Sequence, residues 1–308
     1  MLGRARGCGD RRCHRARHGR GVPLLGPHCD DARRQIPRRR DAGRDQGEQR
    51  RRQHPSRRAA VGLRSQRDEQ VLLEVEAINT FRGPAHILRG VTLGVDDGEV
   101  VSLVGRNGAG RTTIIESITG LLPVRSGHIR FRGEDITKLP PHKRAKRGIG
   151  YAPENSGIFP ELTVAENLMI SRWLSDKTAR GAAGGVDAEA QALTVFPEVA
   201  KFLERPGLNL SGGQKKMVSI ARAMALAPSL MILDEAFEGL APVVVRRFRD
   251  AVMMIKGLGI SLLLAESNLT SAAAIADRLY VIDRGEIIFQ GTPKEALANE
   301  SVMRTLRG

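Results

Sequence analysis

The sequence predicts an α/β fold in which helices cover both faces of a parallel sheet. Three observations lead to this prediction. From Val71 onward, short apolar segments of strand length alternate with segments that are predicted to be helices. The segment "VVSLVG" is an apolar strand that runs directly into a glycine-rich turn and the helix "TTIIESITG". The segment "LMILDE" is a second buried strand, and it ends in two carboxylates.

The positive charge of the chain is concentrated near its amino terminus. The formal net charge of +15 by itself suggests a nucleic acid or an anionic membrane as partner. Residues 1–67, however, hold 20 Arg, no Lys and 6 acidic residues, whereas residues 68–308 hold 29 basic and 28 acidic residues. The part of the chain that is predicted to fold, residues 68–308, is therefore nearly neutral. We expect no nucleic acid among the partners of this part. It is long enough to bury one core, or one core with a subdomain.

Residues 1–67 contain few large apolar residues and show no hydrophobic periodicity, so we expect them to be disordered. Three interpretations remain open for this segment. It is a basic arm for nucleic acid or lipid, a targeting peptide, or translated upstream DNA of a GC-rich genome whose start codon was placed too early. Arginine without lysine favours the third interpretation.

Cysteine usage and hydropathy exclude several classes of protein. Cys8, Cys13 and Cys29 all lie in the Arg-rich segment, without a recognisable zinc-ligand spacing. Residues 68–308 contain no cysteine, so no disulfide can form there, which fits a reducing compartment. No apolar run approaches the ~20 residues of a membrane-spanning helix, and the amino terminus lacks the apolar core of a secretory signal.

The predicted elements follow in order from Val71. Strands at "VLLEVEA" and "VTLGV" precede "VVSLVG" and its helix, and "HIRFRG" and "GIGYAP" are strand-like. A mostly helical region extends over about residues 163–227, interrupted by the flexible segment "DKTARGAAGGVD". The alternation then resumes with strands at "SLMILDE", "ISLLLAE", "RLYVID" and "GEIIFQG", and with helices at residues 242–256 and near 270–277.

The segment "GRNGAGRTT" has the spacing of a phosphate-binding loop, G-x-x-x-x-G-K-[ST], with Arg111 at the lysine position. Gly105, Gly108 and Gly110 allow the backbone to curl with its N–H groups towards phosphates, and the following helix adds the positive end of its dipole. Thr112 occupies the position that coordinates Mg²⁺. An ordinary glycine-rich turn is the alternative, but the location between a strand and a helix favours phosphate binding.

Two further segments strengthen this interpretation. Asp234, at the end of "LMILDE", would hold magnesium through water, and Glu235 would orient or deprotonate an attacking water. The alternative is that both are simply acids at an exposed strand end. The segment "LSGGQ", residues 210–214, opens an amphipathic helix and forms a second anion site, because Ser211 and two glycines stand at the helix start. Two phosphate sites in one chain suggest that each serves a different nucleotide.

These motifs, in this order, resemble the Walker A, signature and Walker B motifs of the ATP-binding subunits of ABC transporters. The resemblance covers about residues 70–308. The phrases "SGHIRFRGEDITKLPPHKRAKRGIGYAPE", "IFPELTVAENL", "EGLAP" and "LLAESN" are most similar to the branched-chain amino acid import ATPases. The resemblance implies a P-loop NTPase fold, the ABC cassette. That fold has a RecA-like parallel-sheet core, a small antiparallel β part and a helical signature subdomain at about residues 160–227.

The resemblance also implies how the protein works. Two cassettes would meet head to tail and enclose ATP and Mg²⁺ between one phosphate loop and the partner's signature, and their closure would drive a permease. The implied partners are a homologous ATPase subunit, transmembrane permease subunits and, through the permease, an external solute-binding protein. The chain would lie on the cytoplasmic face of the inner membrane. The implied nucleotide contacts are Gly105, Arg106, Asn107, Gly108, Ala109, Gly110, Arg111, Thr112, Thr113, Phe81, Glu154, Asp234, Ser211, Gly212, Gly213 and Gln214.

Some positions carry over from the family less directly. Glu154, in "YAPE", occupies the Q-loop position, so the resemblance implies that it contacts magnesium beside the permease-coupling surface. Phe81 is either the aromatic residue that stacks on adenine or a core residue, since Arg82 stands directly before the glycine where Tyr is usual. Trp173 and Tyr151 are expected to be packing residues.

The departures from the family pattern cluster around catalysis. Arg111 keeps the charge of the family lysine but is wider and planar. Ser267 stands at the switch position, where His or Gln is common, and is too short to reach a γ-phosphate in the same way. Ala236 and Phe237 replace the usual Pro and Ser of the dimer-facing loop. Each change alone is consistent with harmless drift, but three around one site predict weakened hydrolysis, with Glu235, Arg111 and Ser267 as the residues that decide the rate.

Two other classes remain open at this stage. One is a soluble ABC protein of translation or repair, but the second cassette or long coiled-coil insertion usual there does not occur in this sequence. The other is a non-hydrolysing regulatory or structural module that responds to nucleotide. Within transporters, lipopolysaccharide-export and urea-import ATPases share many of the same phrases. The transported substrate is not encoded in a cassette, because the permease and the external binding protein select it.

Overall fold

The computed structural model of the chain describes residues 71–175 and 187–307. The Arg-rich segment 1–67 and residues 176–186 of the predicted flexible interruption lie outside the described residues. The predicted domain boundary near residue 68 therefore stays a prediction.

Two sheets contain the strands of the described ranges. The strands are β1 (Val71–Arg82), β2 (Ala85–Asp96), β3 (Val100–Gly105), β4 (Val124–Phe131), β5 (Glu134–Asp135), β6 (Ile149–Ala152), β7 (Leu230–Asp234), β8 (Ser261–Glu266), β9 (Arg278–Asp283) and β10 (Glu286–Gly291). One sheet has the order β2-β1-β4-β5 and is antiparallel. The other has the order β10-β9-β3-β8-β7-β6 and is parallel except for β10.

The helices connect the parallel strands or follow them. They are α1 (Arg111–Thr119), α2 (Pro141–Lys146), α3 (Val164–Ser175), α4 (Ala188–Val195), α5 (Pro197–Ala200), α6 (Gly212–Met224), α7 (Pro242–Gly257), α8 (Leu269–Ala273), α9 (Pro293–Ala298) and α10 (Glu300–Arg307). The helix predicted near residues 270–277 is shorter and earlier than expected, and α2, α9 and α10 were not predicted. Within the described residues, no helix combines the length and the apolar character that crossing a bilayer requires.

The parallel sheet is buried on both faces. Leu262 and Leu264 of β8 join the core that packs against the helical region and α7, whereas Leu263 and Ala265 join the core beneath α1 and the antiparallel sheet. This alternation follows from the two-residue period of a strand and explains why the parallel strands are apolar throughout. The prediction of a parallel sheet covered on both faces is confirmed.

The parallel strands bring distant segments to one edge of the sheet. Strand β3 lies between β9 and β8, and Val104 is paired in register with Glu266 of β8. Asp234, at the end of β7, is paired with Ala265 of β8. Because neighbouring parallel strands end at the same edge, the glycine loop after Gly105 and the two carboxylates after β7 lie at one end of the sheet.

Two aromatic residues of the helical region behave differently. Phe196, between α4 and α5, is fully buried, and its ring centroid lies 5.9 Å from that of Phe248 in α7. Trp173 of α3 was expected to pack, but its side chain is 62% exposed. That expectation was wrong, because Trp173 lies on the outer face of a helix whose opposite face supplies Val164 and Leu168 to the core.

Candidate functional site

The glycine loop is formed as the sequence predicts. Gly108 and Gly110 have φ values of 82° and 115°, in the left-handed region that favours glycine. A side chain at Gly105 would place its Cβ 2.6 Å from the carbonyl oxygen of Ile282 in the neighbouring strand. Helix α1 begins immediately after Gly110, which forms no side-chain cap. The first amides of this helix are therefore open to an anion.

The loop forms the floor of a cleft of about 420 Å³, which we call the phosphate-loop cleft. Its lining residues come from the loop, the start of α1, the β1–β2 hairpin and the segments after β6 and β7. They are Arg82, Ile87, Asn107, Gly108, Gly110, Arg111, Thr112, Thr113, Glu154, Glu235 and Glu238. Six of them are predicted loop or helix residues and two are the predicted carboxylates Glu154 and Glu235, so the cleft brings the predicted phosphate site together with two of its three predicted acids.

Arg111 does not project into the solvent or displace the loop. Its side chain is 4% exposed, and Nη2 lies 2.5 Å from Oε1 of Glu235. The same nitrogen donates to Oδ1 of Asn107 at 2.9 Å, whereas the buried Nη1 has no hydrogen-bond partner among the described residues. The guanidinium folds inward, because Glu235 and Asn107 offer acceptors inside the cleft.

Asp234 is buried, and its surroundings fit a cation. The residue is 2% exposed, and neither carboxylate oxygen makes a hydrogen bond of ordinary geometry. Burial raises its pKa to about 6, and the nearby hydroxyl of Thr112 offsets part of the rise. A buried carboxylate without donors is costly unless a cation neutralises it. Within the described ranges, no cluster of three or more His, Cys, Asp or Glu could hold a metal alone, so Mg²⁺ here would also need phosphate oxygens.

Glu235 lies in a strained turn. Its φ of 49° is in the left-handed region, which is unfavourable for a residue with a Cβ. Burial raises the pKa of its carboxyl to about 7, and a hydrogen bond with Glu238 contributes, although the Arg111 guanidinium opposes this rise. A carboxyl with a pKa near neutrality is suited to accept a proton from water.

The two residues after Glu235 turn inward. Ala236 is 5% exposed and Phe237 is 6% exposed, and both join the core beneath the helical region. The departure from the usual Pro and Ser therefore changes how this loop is anchored. Phe237 fixes it by packing, and its aromatic ring is not presented on the surface.

The signature segment lies outside the phosphate-loop cleft. Ser211 caps α6 in a reciprocal capping box with Gln214, and both Ser211 and Gly212 are exposed. None of residues 211–214 is among the described residues that line the cleft. The start of α6 is thus a helix terminus separate from the cleft, and its role as a second anion site stays a prediction.

Three further predicted contacts differ in their relation to the cleft. Glu154 is exposed and lines it. Ser267 is exposed at the end of β8 and is not among the lining residues. Phe81 is half-buried, with its ring stacked 4.3 Å from that of His86 and with the Arg125 guanidinium 4.7 Å from its centroid. Its role as a nucleotide contact stays a prediction.

Two charged residues at the site were not predicted. Lys216 of α6 donates a hydrogen bond to the backbone carbonyl oxygen of Glu235. Glu266 is 2% exposed, and burial raises its pKa to about 8, although Lys216 and the Phe237 amide oppose the rise. Glu266 ends a buried strand in the same way as Asp234, so the sequence contained a signal for it. Lys216 carries no such signal, because it lies among ordinary polar residues of an amphipathic helix.

Comparisons with known proteins agree with this geometry. A family model described as "ABC transporter" matches residues 88–238. Over 222 residues, 72% of this chain and 91% of the relative, the chain is 35% identical to the lipopolysaccharide export system ATP-binding protein LptB of Escherichia coli strain K12. Over 238 residues, 77% of this chain and 99% of the relative, it is 34% identical to the probable branched-chain amino acid transport ATP-binding protein LivF of Archaeoglobus fulgidus.

A solved structure has the same architecture. The ADP conformation of MJ1267, an ATP-binding cassette of an ABC transporter, matches with a TM-score of 0.67 and 29% identity, over 77% of this chain and 99% of that chain. The fold and the loop define a P-loop nucleotide-binding cassette. The chain belongs to the family of ATP-binding subunits of ABC transporters.

Proposed function

We propose that this chain energises an importer of branched-chain amino acids or related small polar solutes, and that its own ATP site is degenerate. The observation that carries the nucleotide part is the phosphate-loop cleft. The uncapped start of α1 and Thr112 line this cleft, and the buried carboxylate of Asp234 lies close enough to the Thr112 hydroxyl for that group to lower its pKa. This combination suits a phosphate chain and its magnesium ion.

The loop residues 105–113 would bind the phosphates through backbone amides, with Thr112, Asp234 and Glu154 oriented towards the magnesium position. Mg²⁺, when bound, would neutralise phosphate charge as the terminal bond loosens. Glu235 would accept a proton from the attacking water, since its carboxyl has a raised pKa and lies in the cleft.

The ion pair of Arg111 and the exposed position of Ser267 support slow hydrolysis. Arg111 is engaged with Glu235, so the cation that should stabilise the phosphoryl oxygens also neutralises the carboxylate that should activate water. Ser267 is exposed and short, and it does not line the cleft. Both features weaken transition-state stabilisation more than they weaken ground-state binding.

The signature segment supports a role for a second cassette. Because Ser211 and its glycines do not line this chain's own cleft, their exposed helix terminus is free to bind the nucleotide of a homologous ATPase subunit. One chain alone has one phosphate loop and one signature. The proposed ATP site is therefore completed between two subunits.

A second cavity supports docking of permease subunits. An apolar groove of about 360 Å³ lies between α2, α3 and β6, and its lining includes Leu121, Tyr151 and Phe159. Leu121 and Phe159 are 56% and 47% exposed. Tyr151 and Gly157 of the lining stand three residues before and after Glu154, so one segment of the chain contributes to both the groove and the phosphate-loop cleft. A permease bound here would place the chain on the cytoplasmic face of the inner membrane and connect it with an external solute-binding protein.

Lipopolysaccharide export is the second candidate function, favoured by the 35% identity to LptB. Reconstitution separates the two. The chain is combined in liposomes with permease subunits and a solute-binding protein of a branched-chain amino acid importer, and ATP-dependent uptake of leucine is measured. We expect uptake that requires this chain. ATP-dependent lipopolysaccharide extraction without leucine uptake would favour export, and nucleotide binding with neither activity would favour a regulatory module.

A further inference from the structure

Lys216 connects the signature helix with the chain's own carboxylate turn. It lies in α6, five residues after Ser211, and its amine donates to the carbonyl oxygen of Glu235. The side chain is half-buried, and burial lowers its pKa. The largest opposing effect on that pKa comes from the Glu266 carboxylate, followed by Glu235.

The turn at Glu235 has an unfavourable backbone conformation, so contacts with other segments must stabilise it. Glu235 has a positive φ, and its N–H donates to the carbonyl oxygen of Ala265 at 2.9 Å. The side chain is held by Arg111 and the amide by β8, whereas the carbonyl accepts from Lys216 and, at 3.4 Å, from the N–H of Glu238. A left-handed conformation at a non-glycine residue persists only where its surroundings determine it. Among these contacts, the one made by Lys216 comes from the helical region.

The buried carboxylates around the Glu235 turn explain why the Lys216 ammonium lies there. Three buried carboxylates (Asp234, Glu235 and Glu266) lie at this edge of the sheet, and Oε1 of Glu266 has no hydrogen-bond partner in the described part of the chain. Arg111 is engaged with Glu235. Lys216 is the cation with the largest effect on Glu266. Burying a charge is costly without a compensating partner, so Lys216 stays at the turn.

We infer that Lys216 is a positioning residue that fixes the Glu235 turn and thereby couples the signature helix to this chain's own water-activating carboxylate. A shift of α6, when its amino terminus engages a partner's nucleotide, would move the Lys216 amine relative to the Glu235 carbonyl. The inference rests on the proposed function for its catalytic consequence, but not for the positioning itself.

Hydrogen exchange tests the positioning without any need for hydrolysis. We compare Lys216→Met with Lys215→Met, which removes the same charge one residue earlier on α6, in the full chain. Losing a hydrogen bond from a charged donor should speed exchange of the amides at residues 234–238 by about tenfold in the Lys216 variant only. Lys216→Arg should keep the slow rate. Equal exchange in both methionine variants would overturn the inference.

A double variant separates positioning from charge compensation. In Lys216→Met with Glu266→Gln, the charge imbalance is removed while the carbonyl contact remains absent. This variant also guards against misfolding of Lys216→Met alone. Exchange at residues 234–238 should stay fast in the double variant. A return to the rate of the unaltered protein would show that Lys216 only balances Glu266, and the inference would be wrong.

Single-turnover kinetics test the catalytic consequence. With saturating Mg-ATP, Lys216→Met should slow phosphate formation by about tenfold, since one hydrogen bond that holds the base is lost. The Kd for ATP should change by less than about twofold, because the loop amides that bind the phosphates are untouched. If the unaltered protein hydrolyses no ATP, the proposed function fails, and the exchange result still decides the positioning. Altered exchange with unchanged hydrolysis would overturn the coupling.

Discussion

The guanidinium of Arg111 forms a buried ion pair with the carboxylate of Glu235, with Nη2 and Oε1 2.5 Å apart. The two side chains are 4% and 10% exposed. Arg111 belongs to the loop that should bind phosphate, whereas Glu235 should activate water. A nucleotide that enters the cleft therefore competes with Glu235 for this cation, and separating a buried pair is costly unless the phosphates replace the lost partner.

Arg111→Lys should raise the turnover number. A lysine ammonium is a compact charge that can follow the phosphoryl oxygens in the transition state. Restoring one well-placed donor is worth about 3 kcal/mol, or roughly a hundredfold in rate, with little change in nucleotide affinity. Steady-state phosphate release at saturating Mg-ATP measures this, and Arg246→Lys on the exposed face of α7 is the matched control.

Ser267→Gln should add to the effect of Arg111→Lys, because a longer amide side chain extends further from the end of β8. The double variant should be faster than either single variant in the same phosphate-release assay. Ordinary cassette rates in the unaltered protein, with no gain from Arg111→Lys, would show that the site is not degenerate. Membership of the family would be unaffected by that result.

Asp234→Asn should remove the magnesium dependence of ATP binding and also stabilise the protein. The carboxylate is buried without donors, so its removal relieves a desolvation penalty of about 1–2 kcal/mol, which raises the Tm by several degrees. Titration of a fluorescent ATP analogue with Mg²⁺ and with EDTA gives the binding result, and calorimetry gives the Tm. Asp250→Asn, at an exposed position on α7, should alter neither. An Asp234 variant that still binds more tightly with Mg²⁺ would contradict the assignment.

The stability of the protein should depend on pH through Glu266. Its pKa is raised from about 4.3 in an unfolded chain to about 8, so the folded state binds the extra proton between these values. The free energy of unfolding should therefore fall as pH rises from about 4.5 to 8, because ionisation of the buried carboxyl is penalised. Urea unfolding across this range should show a flatter profile for Glu266→Gln. Parallel profiles for the two proteins would contradict the prediction.

The isolated chain should be monomeric or weakly associating, and it should dimerise with a homologous cassette when ATP is present. In the proposed head-to-tail arrangement, its exposed signature and its cleft belong to different ATP sites, so a single copy would complete neither. Light scattering with and without Mg-ATP, in a variant with Glu235→Gln to slow hydrolysis, measures the change. A tight homodimer without nucleotide would count against the head-to-tail arrangement.

A chain that begins at Asp68 should fold as stably as the full chain and should keep nucleotide binding. The Arg-rich segment has few large apolar residues, whereas the described cores are formed by residues after Val71. Thermal unfolding of the two proteins tests this prediction. A clear drop in Tm after removal of residues 1–67 would show that this segment stabilises the fold.

Local spacing was enough to predict much of the fold and the phosphate loop. A strand, three glycines and a helix start within eleven residues determine where the loop amides point, and alternating apolar segments determine a parallel sheet. The resemblance to ABC ATPases added the antiparallel sheet. Helices α9 and α10 were missed because they are short and lie after the last strand, where no strand–helix alternation indicates them.

The amino-acid sequence by itself determined the class of protein, the position of the loop and the carboxylates at the end of β7. Only the tertiary structure decided what the charged side chains do. Arg111 meets Glu235, and Lys216 meets the same turn, because the parallel sheet brings the ends of β3, β7 and β8 together and α6 packs beside them. Arg111 and Glu235 are more than 100 residues apart in the chain. Which carboxylate a buried cation contacts depends on how such distant segments pack, and a sequence pattern does not contain that information.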